Sequence, residues 1–337
     1  MTSKKSTKST IIFVLYNLLV VVILLALLEV TLGFLYRNPS KIPFFAKKSF
    51  SQYYSQYARN TIQVEPSCAH YDPDLFYLLN PGTCVFSNIE FSTPLQVNSR
   101  GLRDAENALD KPTIIFLGDS FTMGWGAKQN ESFPKLIESS GIKTLNAGIS
   151  SFGTVREMAL LKSFVVDSSQ TIVLQYHAND ESENTEYLTN NHKLVISSRG
   201  KYDSLCKVYE SGKHYFPGKL TSRIGRLLLK DLILRNTKTE RDFANEAKKF
   251  LTVLKDFDLS NFKKIIIFEI GSRNENSDDF INAIRNEITS GAFPEYMTNF
   301  ILISLKSKFT PNDYFLLDDH LNSNGHQKLS TILLENL

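Results

Sequence analysis

Five short apolar runs separated by amphipathic segments fill the chain from residue 113 onward. The runs are TIIFLG (113–118), KTLNAG (143–148), TIVLQYH (171–177), KKIIIFEI (263–270) and FILISL (300–305). Between and after them lie ESFPKLIESS (131–140), TVREMALLKSFVVD (154–167), DFANEAKKFLTVLKDF (242–257), DFINAIRNEITSG (279–291) and a helical pattern over 323–337. Runs so short, β-branched and apolar have no solvent face, which points to strands of a parallel sheet buried on both sides. Helices joining parallel strands cross over right-handed. The expected fold is therefore α/β: a three-layer α/β/α sandwich around a five-stranded parallel sheet. The stretch 184–241 breaks the rhythm and reads as an insertion. Its segment RIGRLLLKDLILR (223–235) reads as an amphipathic helix that packs its Leu and Ile residues on the domain, with membrane-surface contact as the alternative.

The other strong constraint is IIFVLYNLLVVVILLALLEVTLGFLY, residues 11–36. Its first eighteen residues carry one polar side chain, Asn17, and would span about 27 Å as a helix. Glu29 through Tyr36 complete the span near the interface. A cleaved leader fits less well, because the apolar stretch is long and Leu27, Leu28 and Val30 stand where small residues would precede cleavage. Lys4, Lys5 and Lys8 precede the span, but Arg37, Lys41, Lys47 and Lys48 follow it, so charge alone orients it weakly. The short tail favours a cytoplasmic N-terminus and an extracytoplasmic remainder, periplasmic or at the cell surface. The expected organisation is a tail at 1–10, an anchor at 11–36, a lead-in of loops and short strands at 37–110, and the α/β domain at 111–337. Setting aside those three leading lysines, 35 basic residues balance 35 acidic ones, which excludes a nucleic-acid footprint. Of three cysteines, Cys68 and Cys84 can pair in an oxidising compartment, leaving Cys206; three unpaired thiols fit equally. The absence of CxxC spacing gives no metal signal, and no cofactor is implied.

In open α/β sheets ligands bind beyond the carboxyl ends of the strands. The first run ends in Gly118-Asp119-Ser120, and the second in Asn146-Ala147-Gly148, followed by Ile149-Ser150-Ser151-Phe152-Gly153-Thr154. The third ends in His177-Ala178-Asn179-Asp180, and after the fifth comes Asp318-Asp319-His320-Leu321-Asn322. Polar residues thus gather at one sheet edge in four places. A serine hydroxyl is a weak nucleophile that needs a base, and the base needs an orienting acid. Ser120, His320 and Asp318 can fill those roles, with Asp319 as the alternative acid. The Asn179 amide and the backbone N–H groups of Ser120 and of the loop after the second strand can hold an oxyanion. His326 reads as a helix-face histidine. Asp119 reads as a structural residue at the strand end; His177 and Asp180 are candidate supporting positions.

The order GDSFT, NAGISSFG, HAND and DDHLNSNGH resembles the SGNH (GDSL-like) hydrolase superfamily. The apolar lead-in with YDPDLFYLLNPG and VNSRGLRD is similar to membrane-anchored bacterial members. The resemblance implies a flavodoxin-like sheet and an acyl-serine mechanism. It places the nucleophile on Ser120, the oxyanion asparagine on Asn179 and the base on His320. It also places the second-block backbone donor on Ser151, where the family has glycine, with Gly148 or Gly153 as alternatives. His177 stands where the third block usually has glycine, and the last block is Asp-x-His, not Asp-x-x-His.

The function expected from the sequence is a membrane-anchored serine esterase that removes O-acyl groups, foremost acetyl, from a cell-envelope carbohydrate. Its partners are that acylated carbohydrate and the lipid bilayer. An O-acetyltransferase with the same triad is the first alternative, and a non-catalytic carbohydrate-binding protein on a hydrolase-like fold is the second.

Overall fold

The computed structural model describes residues 3–164, 170–233, 241–273 and 276–337. The chain forms two compact units, one of residues 1–59 and 210–238, the other of residues 60–209 and 239–337. The first unit opens with α1 (Ser3–Arg37), whose apolar window has a mean hydropathy of 3.2 and is not covered by protein. By length and composition α1 can cross a bilayer. The second helix, α2 (Lys47–Tyr53), falls where loops and short strands are expected. Ser49, Phe50 and Tyr53 are spaced along one helical face and are all buried, so packing outweighs the polar composition.

The lead-in from residue 60 supplies two antiparallel hairpins. In the first, β1 (Ala69–Asp72) pairs with β2 (Phe76–Leu79); in the second, β3 (Gly82–Asn88) pairs with β4 (Phe91–Val97). The Cys68–Cys84 disulfide, with Cα atoms 5.4 Å apart, ties the first hairpin to the second. Cys206 is not in a disulfide.

The central sheet contains β5 (Ile114–Leu117), β6 (Thr144–Asn146), β7 (Thr171–Tyr176), β8 (Lys264–Glu269) and β9 (Ile301–Ile303), in the order β6-β5-β7-β8-β9. All pairings are parallel. The order, second-first-third-fourth-fifth, is the flavodoxin-like one. Successive residues alternate between two cores, as the two-residue period of a strand demands. Ile115, Leu117, Ile172, Leu174, Ile265 and Ile267 face one core. That side is covered by α5 (Thr154–Lys162), α9 (Phe243–Phe257) and α10 (Asp279–Thr289). Ile114, Phe116, Val173, Ile266 and Phe268 face the other, under α4 (Phe133–Glu138) and α11 (Ser323–Leu334). The expected helical continuation at 165–167 lies outside the described residues. A short α3 (Ser120–Met123) follows β5 directly.

The insertion divides between the units. Its first part holds α6 (Asp180–Thr189) and most of α7 (Arg199–Gly212). Residues 210–238 instead join the N-terminal unit, where α8 (Lys219–Ile233) packs against α1 and α2. The expected end of this helix at 234–235 lies outside the described residues. Leu220, Ile224 and Leu227, at i, i+4 and i+7, form its buried face. That apolar face thus packs on α1 and α2, not on the α/β domain as expected. A carboxylate fixes the choice. Glu29 on α1 accepts the backbone N–H groups of Leu220 at 3.1 Å and Thr221 at 2.7 Å, the Thr221 hydroxyl at 2.7 Å and the Tyr215 hydroxyl at 3.0 Å. It caps the N-terminus of α8, where orphan N–H groups and the helix dipole favour an anion.

Candidate active site

Strand β5 is buried throughout and delivers residues 118–120 to the sheet edge. Gly118 sits at φ 153°, and a Cβ there would lie 2.3 Å from the Thr122 hydroxyl and 2.4 Å from the Gln175 amide oxygen. Only glycine fits. Asp119 turns the chain into α3 as its N-cap, its carboxylate accepting the Phe121 N–H at 2.9 Å. The turn is braced by the lead-in. Buried Arg103 donates to the carbonyls of Met123 at 3.0 Å, Ala127 at 2.6 Å and Gly124. Asp104 accepts the Asn146 N–H at 2.9 Å at the end of β6. These contacts explain the VNSRGLRD stretch: Arg103 and Asp104 hold two strand ends in register with each other.

The Ser120 hydroxyl lies 2.7 Å from Nε2 of His320, and Nδ1 of His320 lies 2.5 Å from Oδ1 of Asp318. The exposures of Ser120, His320 and Asp318 are 8%, 7% and 1%, so this serine–histidine–carboxylate line is shielded from bulk water. Asp319 is farther, with Oδ1 3.5 Å from the same ring nitrogen, and its other oxygen accepts the Ser272 hydroxyl. Asp318, Asp319 and His320 are the described residues whose ligand atoms could converge on a metal. Both ring nitrogens of His320 are already engaged by Ser120 and Asp318, so this donor set fits a proton relay better than an ion. Buried His326 is separate: its Nδ1 accepts the Phe133 N–H at 3.3 Å, and burial holds its pKa down to about 3.

Three residues that the sequence does not single out surround this line. Trp125 donates from Nε1 to Oδ2 of Asp318 at 3.0 Å and stacks on the His320 ring with centroids 5.0 Å apart. Glu90, at the tip of the β3–β4 hairpin, accepts three successive backbone N–H groups. These come from Leu316 at 2.6 Å, Leu317 at 2.8 Å and Asp318 at 2.8 Å. Arg273 donates to the carbonyls of Phe315 and Asp318. The loop carrying the acid is therefore held by an anion on its N–H groups and a cation on its carbonyls. Burial raises the Glu90 carboxyl above its usual value, against the pull of those three hydrogen bonds.

His177 anchors the loop after β7. His177 stacks on Phe121 and its Nδ1 lies 2.7 Å from Oδ1 of Asn179. The second-block loop reaches β5 through the Ile149 N–H, which donates to Gly118 at 3.0 Å. Ser151 holds φ 62°, a left-handed conformation uncommon for residues other than glycine, and Arg156 donates to its carbonyl. Gly148 spends its N–H on the Asn146 side chain at 3.0 Å, which weakens it as an alternative donor; Gly153 is the N-cap of α5. Ser151 and Asn179 both line a cleft of about 440 Å³ that also includes Phe76, Phe152, Arg156 and Glu183. Tyr77 donates to the Ser150 carbonyl beneath it.

Under the same loops two carboxyl groups are buried: Asp180, which accepts the Thr154 hydroxyl at 3.2 Å, and Glu157, which has no hydrogen-bond partner. Burial first, then for Glu157 the neighbouring Asp180 and for both the carboxylates of Asp119 and Glu183, raise the two groups well above the ordinary carboxylate range.

No family model matches the chain, and no curated protein matches it. Among the solved structures similar to this chain are three at low identity. LAE5, an alpha/beta hydrolase enzyme from the metagenome of Lake Arreo, Spain, is 14% identical over 66% of this chain and 94% of its own, with TM-score 0.36. The lipase Lip_vut3 from a goat rumen metagenome is 16% identical over 66% of this chain and 95% of its own, with TM-score 0.31. A protein from Desulfitobacterium hafniense DCB-2, described under the lipolytic G-D-S-L family, is 12% identical over 66% of this chain and 98% of its own, with TM-score 0.33.

Proposed function

We propose that this protein is a serine ester hydrolase of the SGNH type, held to a membrane by α1 with its catalytic unit outside the cytoplasm. The observation that carries the reading is the unbroken line from the Ser120 hydroxyl through His320 to Asp318. His320 takes the Ser120 proton as Oγ attacks the ester carbonyl. Asp318 keeps the proton of Nδ1 in place, so Nε2 faces the serine as the base, and stabilises the imidazolium that forms. The Ser120 N–H, the Ser151 N–H and the Asn179 amide are the donors assigned to the oxyanion. His320 then returns the proton to the departing alcohol, and water hydrolyses the acyl-serine by the same route. The Cys68–Cys84 disulfide supports an oxidising compartment.

The cleft beside Ser151 and Asn179 favours a large alcohol portion. It combines the aromatic rings of Phe76 and Phe152 with the polar groups of Arg156 and Glu183, a mixture suited to the faces and hydroxyls of a sugar. The substrate we assign is an O-acyl, foremost O-acetyl, group on an envelope carbohydrate. The test uses phenyl acetate and a fluorophosphonate label on the full chain in detergent. Hydrolysis and labelling are expected, and Ser120→Ala should abolish labelling and lower kcat by about a thousandfold or more. A folded, unlabelled and inactive wild type would refute the hydrolase reading. Appearance of acylated glycan in place of free acid, when a glycan is added, would identify a transferase.

A further inference from the structure

We propose that the unit of residues 1–59 and 210–238 seats exposed aromatic and basic side chains in the headgroup layer of an acidic membrane leaflet, with α8 lying along the surface. The proposal rests on the reading of α1 as a bilayer span, and adds a second, peripheral attachment beside it. The depth of α8 follows from where it is clamped. Glu29 lies eighteen residues beyond Ile11, about 27 Å along the helix axis, close to the full thickness of a hydrocarbon core. A carboxylate fixed there to the N-terminus of α8 sets that helix at the membrane boundary. Gly33, one turn on, lies under Leu220.

What this unit leaves uncovered matches that depth. Just past α1, Phe44 and Phe45 are 90% and 80% exposed, in a tight turn flanked by exposed Lys41 and Lys47. Lys41 itself lies over the ring of Phe34, 4.9 Å from its centroid, near the end of α1. On α8, with Leu220, Ile224 and Leu227 buried, Arg226, Leu229 and Lys230 remain exposed. Tyr215 and Phe216, just before α8, are also exposed. Aromatic rings beside lysine and arginine are the composition of a membrane–water interface, and the basic excess complements anionic headgroups.

The full-length chain, with Cys206→Ser and single cysteines in turn at Leu19, Phe44, Leu229 and Lys306, is nitroxide-labelled in nanodiscs of phosphatidylcholine with or without phosphatidylglycerol. Collision with oxygen is compared with collision with a water-soluble nickel chelate. Labels at 44 and 229 should favour oxygen several-fold over the label at Lys306, which lies in the other unit; the label at Leu19 should do so most strongly. Water-like values at 44 and 229 with a lipid-like value at 19 would overturn the proposal and leave the span intact. They would point to a protein as the occupant of this surface. A water-like value at 19 would overturn both. Arg226→Glu with Lys230→Glu should move the label at 229 toward water in phosphatidylglycerol discs only; equal behaviour in both lipids would refute the acidic-lipid part. Far-ultraviolet dichroism of each variant separates misfolding from displacement.

Discussion

Trp125 contributes a single N–H to the carboxylate that orients His320. Trp125→Phe keeps an aromatic ring against the imidazole and deletes the donor, so it tests that bond alone. A hydrogen bond to a charged group is worth about 1.5–3 kcal/mol, which corresponds to a kcat loss of roughly tenfold or more with KM little changed. Steady-state kinetics on phenyl acetate measure it. Asn179 and His177 should rank differently. Asn179→Ala removes the amide we assign to the oxyanion and should cost about a hundredfold or more in kcat. His177→Ala only frees the amide to turn, and should cost less. The line of Ser120, His320 and Asp318 is legible because Ser120 directly follows an apolar strand and the acid and base share one short polar block, DDH, just before the last helix. Trp125, Glu90 and Arg273 are not. Glu90 and Arg273 act on backbone groups far along the chain, and a backbone N–H leaves no trace in residue type.

At the scale of elements, the carboxyl pair beneath the second- and third-block loops governs response to pH. Glu157 and Asp180 have folded values raised above those of the unfolded chain. The stability they contribute is full below the unfolded values, 4.5 for Glu157 and 3.8 for Asp180, and is lost as pH rises toward the folded values. Wild type should therefore lose Tm progressively from mildly acidic to alkaline pH. Glu157→Gln should flatten that slope, as thermal melts across the range will show. The β3–β4 hairpin makes a different prediction. Glu90→Ala strands three N–H groups of the loop that carries Asp318. It should lower kcat more than it lowers Tm, whereas Glu90→Gln, which can still accept, should recover part of the rate. The five strands were legible from their unbroken apolar runs. The attachment of α8 was not, because an amphipathic pattern shows that a face will be covered without showing by what. Glu29 reads as the polar end of a span in sequence, because its four donors come from residues 215–221, far along the chain.

For the whole molecule, the division of the insertion matters most. Deleting residues 1–59 to obtain a soluble enzyme would remove Glu29 and the helices against which Leu220, Ile224 and Leu227 pack. The bared face of α8 should make such a chain aggregate. Deleting 210–238 as well, with a flexible linker in its place, should restore a monodisperse protein with phenyl acetate activity. Size-exclusion chromatography of the two truncations checks this.

The chain passes between its two units three times, at 59–60, 209–210 and 238–239. An enzyme on a simple stalk is shed from a cell by one proteolytic nick. Here a nick between residues 59 and 60 should release nothing, because the catalytic fragment still carries α8, buried against α1 and clamped by Glu29. After cleavage at a protease site inserted there, activity should stay with sedimented membranes and enter the supernatant only when detergent parts the helices. The returning helix would thus make retention at a membrane a matter of folding as well as of covalent continuity.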